Sequence, residues 1–194
     1  MNSGSKTEFL IGLRQLFGLW ALGFLLAAMF IGPLTTVLPW IPLKAHLILA
    51  RRAVGVSTVL FAGAHVLCYV LPVLLRNWRE LYIPRPEWVV GLVVGVVAFV
   101  GMSLLAFTSR DKAVVKLGGK KWKRLHQMTY IMLPLVLFHA IFVGADFGVS
   151  RGPDVKGEPD AGALIGFLAV GVVWLIFFVL RMRGVRWKSK CQTN

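Results

Sequence analysis

Residues 51–75 read RRAVGVSTVLFAGAHVLCYVLPVLL: two arginines, then an uncharged run of 23 residues with His65 at its middle. A helix needs about 20 apolar residues to cross the hydrocarbon core of a bilayer, so this stretch is long enough. Lipid offers the backbone no hydrogen-bond partners, and a crossing segment of this length must therefore be helical. Four further uncharged runs accompany it, at 15–43, 88–109, 125–145 and 161–180. The pattern predicts an all-α integral membrane bundle of five transmembrane helices, at about 15–38, 53–75, 88–109, 123–143 and 161–181, in a single domain spanning 1–194. Composition agrees: 57% of the chain is hydrophobic and 15% charged, against about 25% charged in soluble domains. The first run is read as a retained span rather than a signal peptide, because Glu8 interrupts its basic flank and the run is too long.

The net charge of +14 would suggest nucleic acid in a soluble protein, so its distribution decides. Basic residues cluster in alternate connections: Lys44, Arg51 and Arg52; then Arg110 to Arg124; then Arg181 to Lys190 after the fifth run. These segments hold 15 of the 22 basic residues and one acid, Asp111. That asymmetry is the positive-inside pattern, with the N-terminus outside and the C-terminus cytoplasmic. It argues against nucleic acid as a partner and leaves membrane lipid as the surrounding medium. Most tryptophans, Trp20, Trp40, Trp78, Trp88, Trp122 and Trp187, fall near expected span ends, as an aromatic belt requires. Cys68 and Cys191 lie at different depths and offer no disulfide framework.

No dinucleotide or Walker phosphate loop is present, and Gly118-Gly119 reads as a turn between helices. The apolar runs hold no acidic residue, which weakens a transporter reading. Gly91-x-x-x-Gly95 in the third run is a close-packing motif. Gly55 and Gly63 either pack helices or make room for a flat cofactor. The first span is expected to end near Gly32-Pro33, with a proline-spaced connection following. His46 is expected in the loop before the second span, where a solvated role outweighs a ligand role.

The other three histidines carry the chemistry. His65, His126 and His139 lie in spans, where an ionisable residue is a functional candidate. His65 is thirteen residues beyond Arg52 and His139 fifteen beyond Arg124. At 1.5 Å per residue these are depths of about 20 and 22 Å from the cytoplasmic edge, nearly level. Two facing imidazoles at one depth suit bis-histidine ligation of a haem iron, whereas zinc would more often want four ligands. His126 sits near the cytoplasmic edge, about 140° out of phase with His139 on a straight helix. Pro134 between them could change that phase by kinking the helix. His126 either serves a second redox group or only hydrogen-bonds there.

Several ordered motifs resemble a known family: Arg51-Arg52-Ala53-Val54-Gly55, then Ala64-His65 and Tyr69, then Ala106-Phe107-Thr108-Ser109, then Leu117-Gly118-Gly119-Lys120-Lys121-Trp122-Lys123-Arg124-Leu125-His126, Tyr130 and His139. Over about residues 22–142 the chain is similar to the MsrQ (YedZ) proteins of the ferric-reductase-like transmembrane family. Members of that group carry six spans, and the first span here corresponds to their second. The resemblance implies a b-type cytochrome of the bacterial inner membrane with one or two haem b groups. His65 and His139 would be axial ligands of one haem iron, and His126 would be associated with a second. It implies electron transfer from a quinol of the quinone pool, or from a cytoplasmic flavin reductase, to a periplasmic molybdopterin methionine sulfoxide reductase. FMN accompanies some members. On this reading the chain is an electron-transfer subunit, not a complete enzyme, and no residue is assigned as catalytic. The rival expectations are a stand-alone ferric or quinone reductase, and a non-catalytic membrane scaffold whose histidines only pack.

Overall fold

The computed structural model describes residues 3–38, 40, 42–76, 86–143, 165, 168–176 and 178–179. Six helices follow in chain order: α1 (Ser3–Val37), α2 (Lys44–Arg76), α3 (Pro86–Phe107), α4 (Asp111–Leu117), α5 (Gly119–Gln127) and α6 (Thr129–Val143). Among the described residues there is no strand, and 168–176 of the fifth run are also helical. Four segments are long and apolar enough to cross a membrane: Phe9–Thr35, Lys44–Leu71, Trp88–Phe107 and Gly119–Val143. The expected outer loop 144–160, the connection 77–85 and the basic tail with Cys191 lie outside the described residues.

Two expected boundaries move. Pro33 does not end α1, which continues to Val37. A proline removes one helical N–H, and membrane helices tolerate this where nearby groups re-satisfy the turn. Here the Thr35 hydroxyl donates to the carbonyls of Ile31 (2.8 Å) and Gly32 (3.0 Å). Arg51 Nε donates to the Ala28 carbonyl one turn earlier (3.0 Å). The second shift concerns α2, which begins at Lys44, so His46, Arg51 and Arg52 lie on its first turns rather than in a loop. The segment Lys44–Arg52 is rich in Ala, Leu, Lys and Arg, strong helix formers whose charges reach water along their stems. His46 is exposed there.

The fourth span is not one uninterrupted helix. Gly118, at φ 73°, makes the turn between α4 and α5 where the Gly-Gly pair was expected to turn. A second break falls at Met128, whose N–H bonds the Leu125 carbonyl in a tightened turn before α6 begins. Pro134 lies inside α6 without ending it.

Helix α1 packs along α2, and α3 packs along α6, with sparser contact between the two pairs. The buried core runs through Leu25, Met29, Met102, Met132 and Leu133, and Leu133 has no exposed surface. Trp174 and Phe178 of the fifth run stack on each other, and Phe178 also meets Tyr130. Apolar side chains such as Val93, Val97, Val100 and Leu104 point outward along α3. Such an exterior is matched to hydrocarbon, where helices associate by close packing rather than by burial from water. Gly91 shows this directly, since a Cβ there would run into Val143 and Phe142 of α6.

Removing packed volume should therefore matter more than removing outward apolar surface. Leu133→Ala is expected to cost about 2–5 kcal/mol through the cavity it leaves. Val97→Ala should stay within about 0.5 kcal/mol. Thermal unfolding of the two variants in the same detergent checks this, and equal shifts would contradict the placement of the core.

Candidate functional site

The site lies between the two helix pairs. A cavity of about 390 Å³ opens there, lined by residues of all four long helices, including Gly18, His65, Gly95 and His139. That volume is in the range of small-molecule pockets, about 300–1,000 Å³. His65 comes from one pair and His139 from the other, and their ring centroids are 6.3 Å apart with the rings nearly perpendicular.

Each ring is fixed by its neighbour within its own pair. His65 Nδ1 lies 2.8 Å from the carbonyl oxygen of Arg14 in α1. His139 Nδ1 lies 2.8 Å from the carbonyl oxygen of Gly91 in α3. A carbonyl can only accept, so in both rings Nδ1 carries the proton and Nε2 keeps its lone pair. Four residues on from each carbonyl stands a glycine. A Cβ on Gly18 would come within 3.0 Å of His65 Nδ1, and one on Gly95 within 2.5 Å of His139 Nδ1. The same device thus occurs twice: a helix carbonyl to hold the ring, and a missing side chain one turn later to admit it. Gly95 is more than half of a packing motif. Gly55 faces open space and Gly63 makes only an ordinary 4.0 Å contact with Phe99, so neither packs closely against another helix.

This donor set fits a haem. A metal–imidazole nitrogen bond is about 2 Å and that nitrogen lies about 1 Å from the ring centre, so two imidazoles across one ion have centroids about 6 Å apart. The 6.3 Å spacing matches, with Nε2 free on both rings. A carbonyl-bonded Nδ1–H is the usual outer-shell support of a ligating histidine. Among the described residues no group of three His, Cys, Asp or Glu converges, so the pair offers two nitrogens rather than a tetrahedral set.

His126 is built differently. It lies on α5 beside Trp122, with ring centroids 4.2 Å apart, and Trp122 Nε1 donates to the Thr108 carbonyl (2.9 Å). Its Nε2 is 3.4 Å from the Thr108 hydroxyl, a weak contact. That hydroxyl also reaches the carbonyls of Leu104 (2.9 Å) and Leu105 (3.1 Å) on its own helix, so His126 has no carbonyl clamp of the kind that holds the facing pair. Nearby, Arg52 pairs with Asp111 at 2.6 Å, tying α2 to the start of α4.

Sequence reasoning missed Arg14 and Gly18. Arg14 looks like one of a few outer-side charges, and Gly18 has no motif around it. Only the helix pairing brings both against His65.

Comparison with known proteins follows the same core. The sequence pattern described as ferric reductase like transmembrane component matches residues 17–137. The chain belongs to the ferric-reductase-like transmembrane family. As a member it is a multi-pass membrane protein. The protein-methionine-sulfoxide reductase heme-binding subunit MsrQ of Azospira oryzae is 32% identical over 168 residues, covering 86% of this chain and 66% of that protein. The subunit of the same name from Caulobacter vibrioides is 31% identical over 149 residues, 75% of this chain and 65% of that protein. The magnetosome protein MamZ of Magnetospirillum gryphiswaldense is 32% identical over 144 residues. That match covers 72% of this chain but 21% of MamZ, so the chain spans about a fifth of MamZ and about two thirds of the MsrQ relatives. No solved structure matches the chain.

The hydrogen bonds give a direct test on the ferric-reductase-like core. In the haem-free protein labelled with ¹⁵N-histidine, His65 and His139 should show the Nδ1–H tautomer. Gly95→Ala should displace the His139 ring and change its signals alone, whereas Gly63→Ala should leave all three unchanged. An Nε2–H tautomer at His65 or His139 would contradict the geometry.

Proposed function

We propose that this chain is a b-type cytochrome subunit of the bacterial inner membrane that passes electrons to a periplasmic methionine sulfoxide reductase. One observation carries the reading: two imidazoles 6.3 Å apart on different helix pairs, each held through Nδ1 with Nε2 turned free. A haem b bound between them would supply one-electron chemistry within the membrane. His65 and His139 hold the iron and their carbonyl partners set ring orientation. The apolar walls, among them Ala98, Phe99 and Val136, keep water away from the group.

The single domain takes five spans over 1–194, with the N-terminus outside and the basic loops cytoplasmic, which puts the histidine pair toward the outer face. His126, near the cytoplasmic edge, is the point at which electrons from a quinol or a flavin reductase are received. A second haem or an FMN beside it would be the receiving group. The names of the MsrQ relatives support haem binding and a sulfoxide reductase as the partner.

The test is a reduced-minus-oxidised visible spectrum of the detergent-purified protein, with haem quantified per chain. Sharp low-spin b-type bands are expected, and His65→Ala and His139→Ala should each lose those of the haem held between this pair. Full haem content with an unchanged spectrum in both variants would refute the ligand pair. The prereduced protein should then be reoxidised by a methionine sulfoxide reductase of the periplasmic molybdopterin type with sulfoxide present. Reoxidation by ferric chelate or quinone alone, with no response to the reductase, would move the assignment to a stand-alone reductase.

A further inference from the structure

We propose that Arg14 is the cationic anchor for a propionate carboxylate of the haem, so that its acidic edge lies at the Arg14–Tyr69 end of the cavity. The inference rests on the haem reading above and adds to it the residue that orients the group.

Arg14 is five residues past Phe9, inside the apolar segment Phe9–Thr35, and it lines the cavity that holds both ligand histidines. A charge in such a segment is expensive unless it meets a counter-charge or water. No Asp or Glu lines the cavity. Among the described residues the one ion pair is Arg52–Asp111, on a different helix pair of contacts. Topology does not account for Arg14 either, since it sits on the side opposite the basic loops. What the structure gives it is a cation–π contact, with the guanidinium carbon 5.8 Å from the Tyr69 ring centroid. Tyr69 lines the same cavity and is four residues, about one turn, beyond His65. The guanidinium is therefore held beside the iron-ligand layer by the helix whose carbonyl steadies His65.

A haem brings two carboxylates and a broad apolar ring. The apolar walls match the ring, and an arginine fork matches a carboxylate by paired charge-assisted hydrogen bonds. The alternative occupant of Arg14 is a lipid phosphate, reached by snorkelling to the outer interface.

The two are separated by titrating the haem-free protein with iron protoporphyrin IX and with its dimethyl ester, followed by Soret absorbance. The wild type should bind the diacid more tightly than the diester by about tenfold or more, the size of one contact to a charged group. Arg14→Gln should abolish that preference by weakening the diacid alone, and Arg14→Lys should restore part of it. The midpoint potential of the diacid form should also fall in Arg14→Gln, because an uncompensated carboxylate favours ferric iron. Retention of the full preference in Arg14→Gln would overturn the proposal in favour of a lipid contact. Equal loss of both ligands would overturn it in favour of support for His65 alone. If the wild type binds neither ligand, the haem reading itself fails and the anchor falls with it.

Discussion

A helix carbonyl has two lone pairs, and the N–H four residues on uses only one of them. This protein spends the spare pair on Arg14 and on Gly91 to hold an imidazole proton. In water such a bond would compete with solvent. Within a bilayer the alternatives are few, and one neutral tautomer is fixed on each ring. Everything useful about the site follows from that choice. The lone pair on Nε2 is left for a metal to use, the rings gain a fixed direction, and each is locked to the helix beside it.

The glycines are the steric side of the same constraint. For an imidazole to reach a carbonyl inside a neighbouring helix, the side chain one turn later has to be absent. Gly18 and Gly95 satisfy that requirement in two unrelated sequence settings. His126 shows the contrast. At His126 the neighbour is a hydroxyl already committed to its own helix, at a weak 3.4 Å. Three histidines in one bundle are thus given different chemistry by what their neighbours can accept.

Much of this was legible before any coordinates. Uncharged runs of sufficient length mark the four long apolar segments, and the rise per residue puts His65 and His139 level with each other. The rest was hidden for physical reasons. Every residue has a carbonyl, so nothing in the letters marks Arg14 and Gly91 as acceptors. The charged stretch reads as loop, yet Lys44, Arg51 and Arg52 belong to α2, because long cationic side chains let a helix start before the apolar core does. Pro33 looked like a stop, but a hydroxyl at Thr35 and a guanidinium from Arg51 hold the turns around it. Gly95 looked like packing until His139 was found where its side chain would be.

The division into two helix pairs has a consequence for assembly. Each pair carries its own histidine, carbonyl and glycine, so each half of the ligand set is complete within a hairpin-like unit. The contact between the halves is thin around the cavity. A group ligated from both sides would act as a clasp, adding its binding free energy to the one seam that the protein leaves weakly closed.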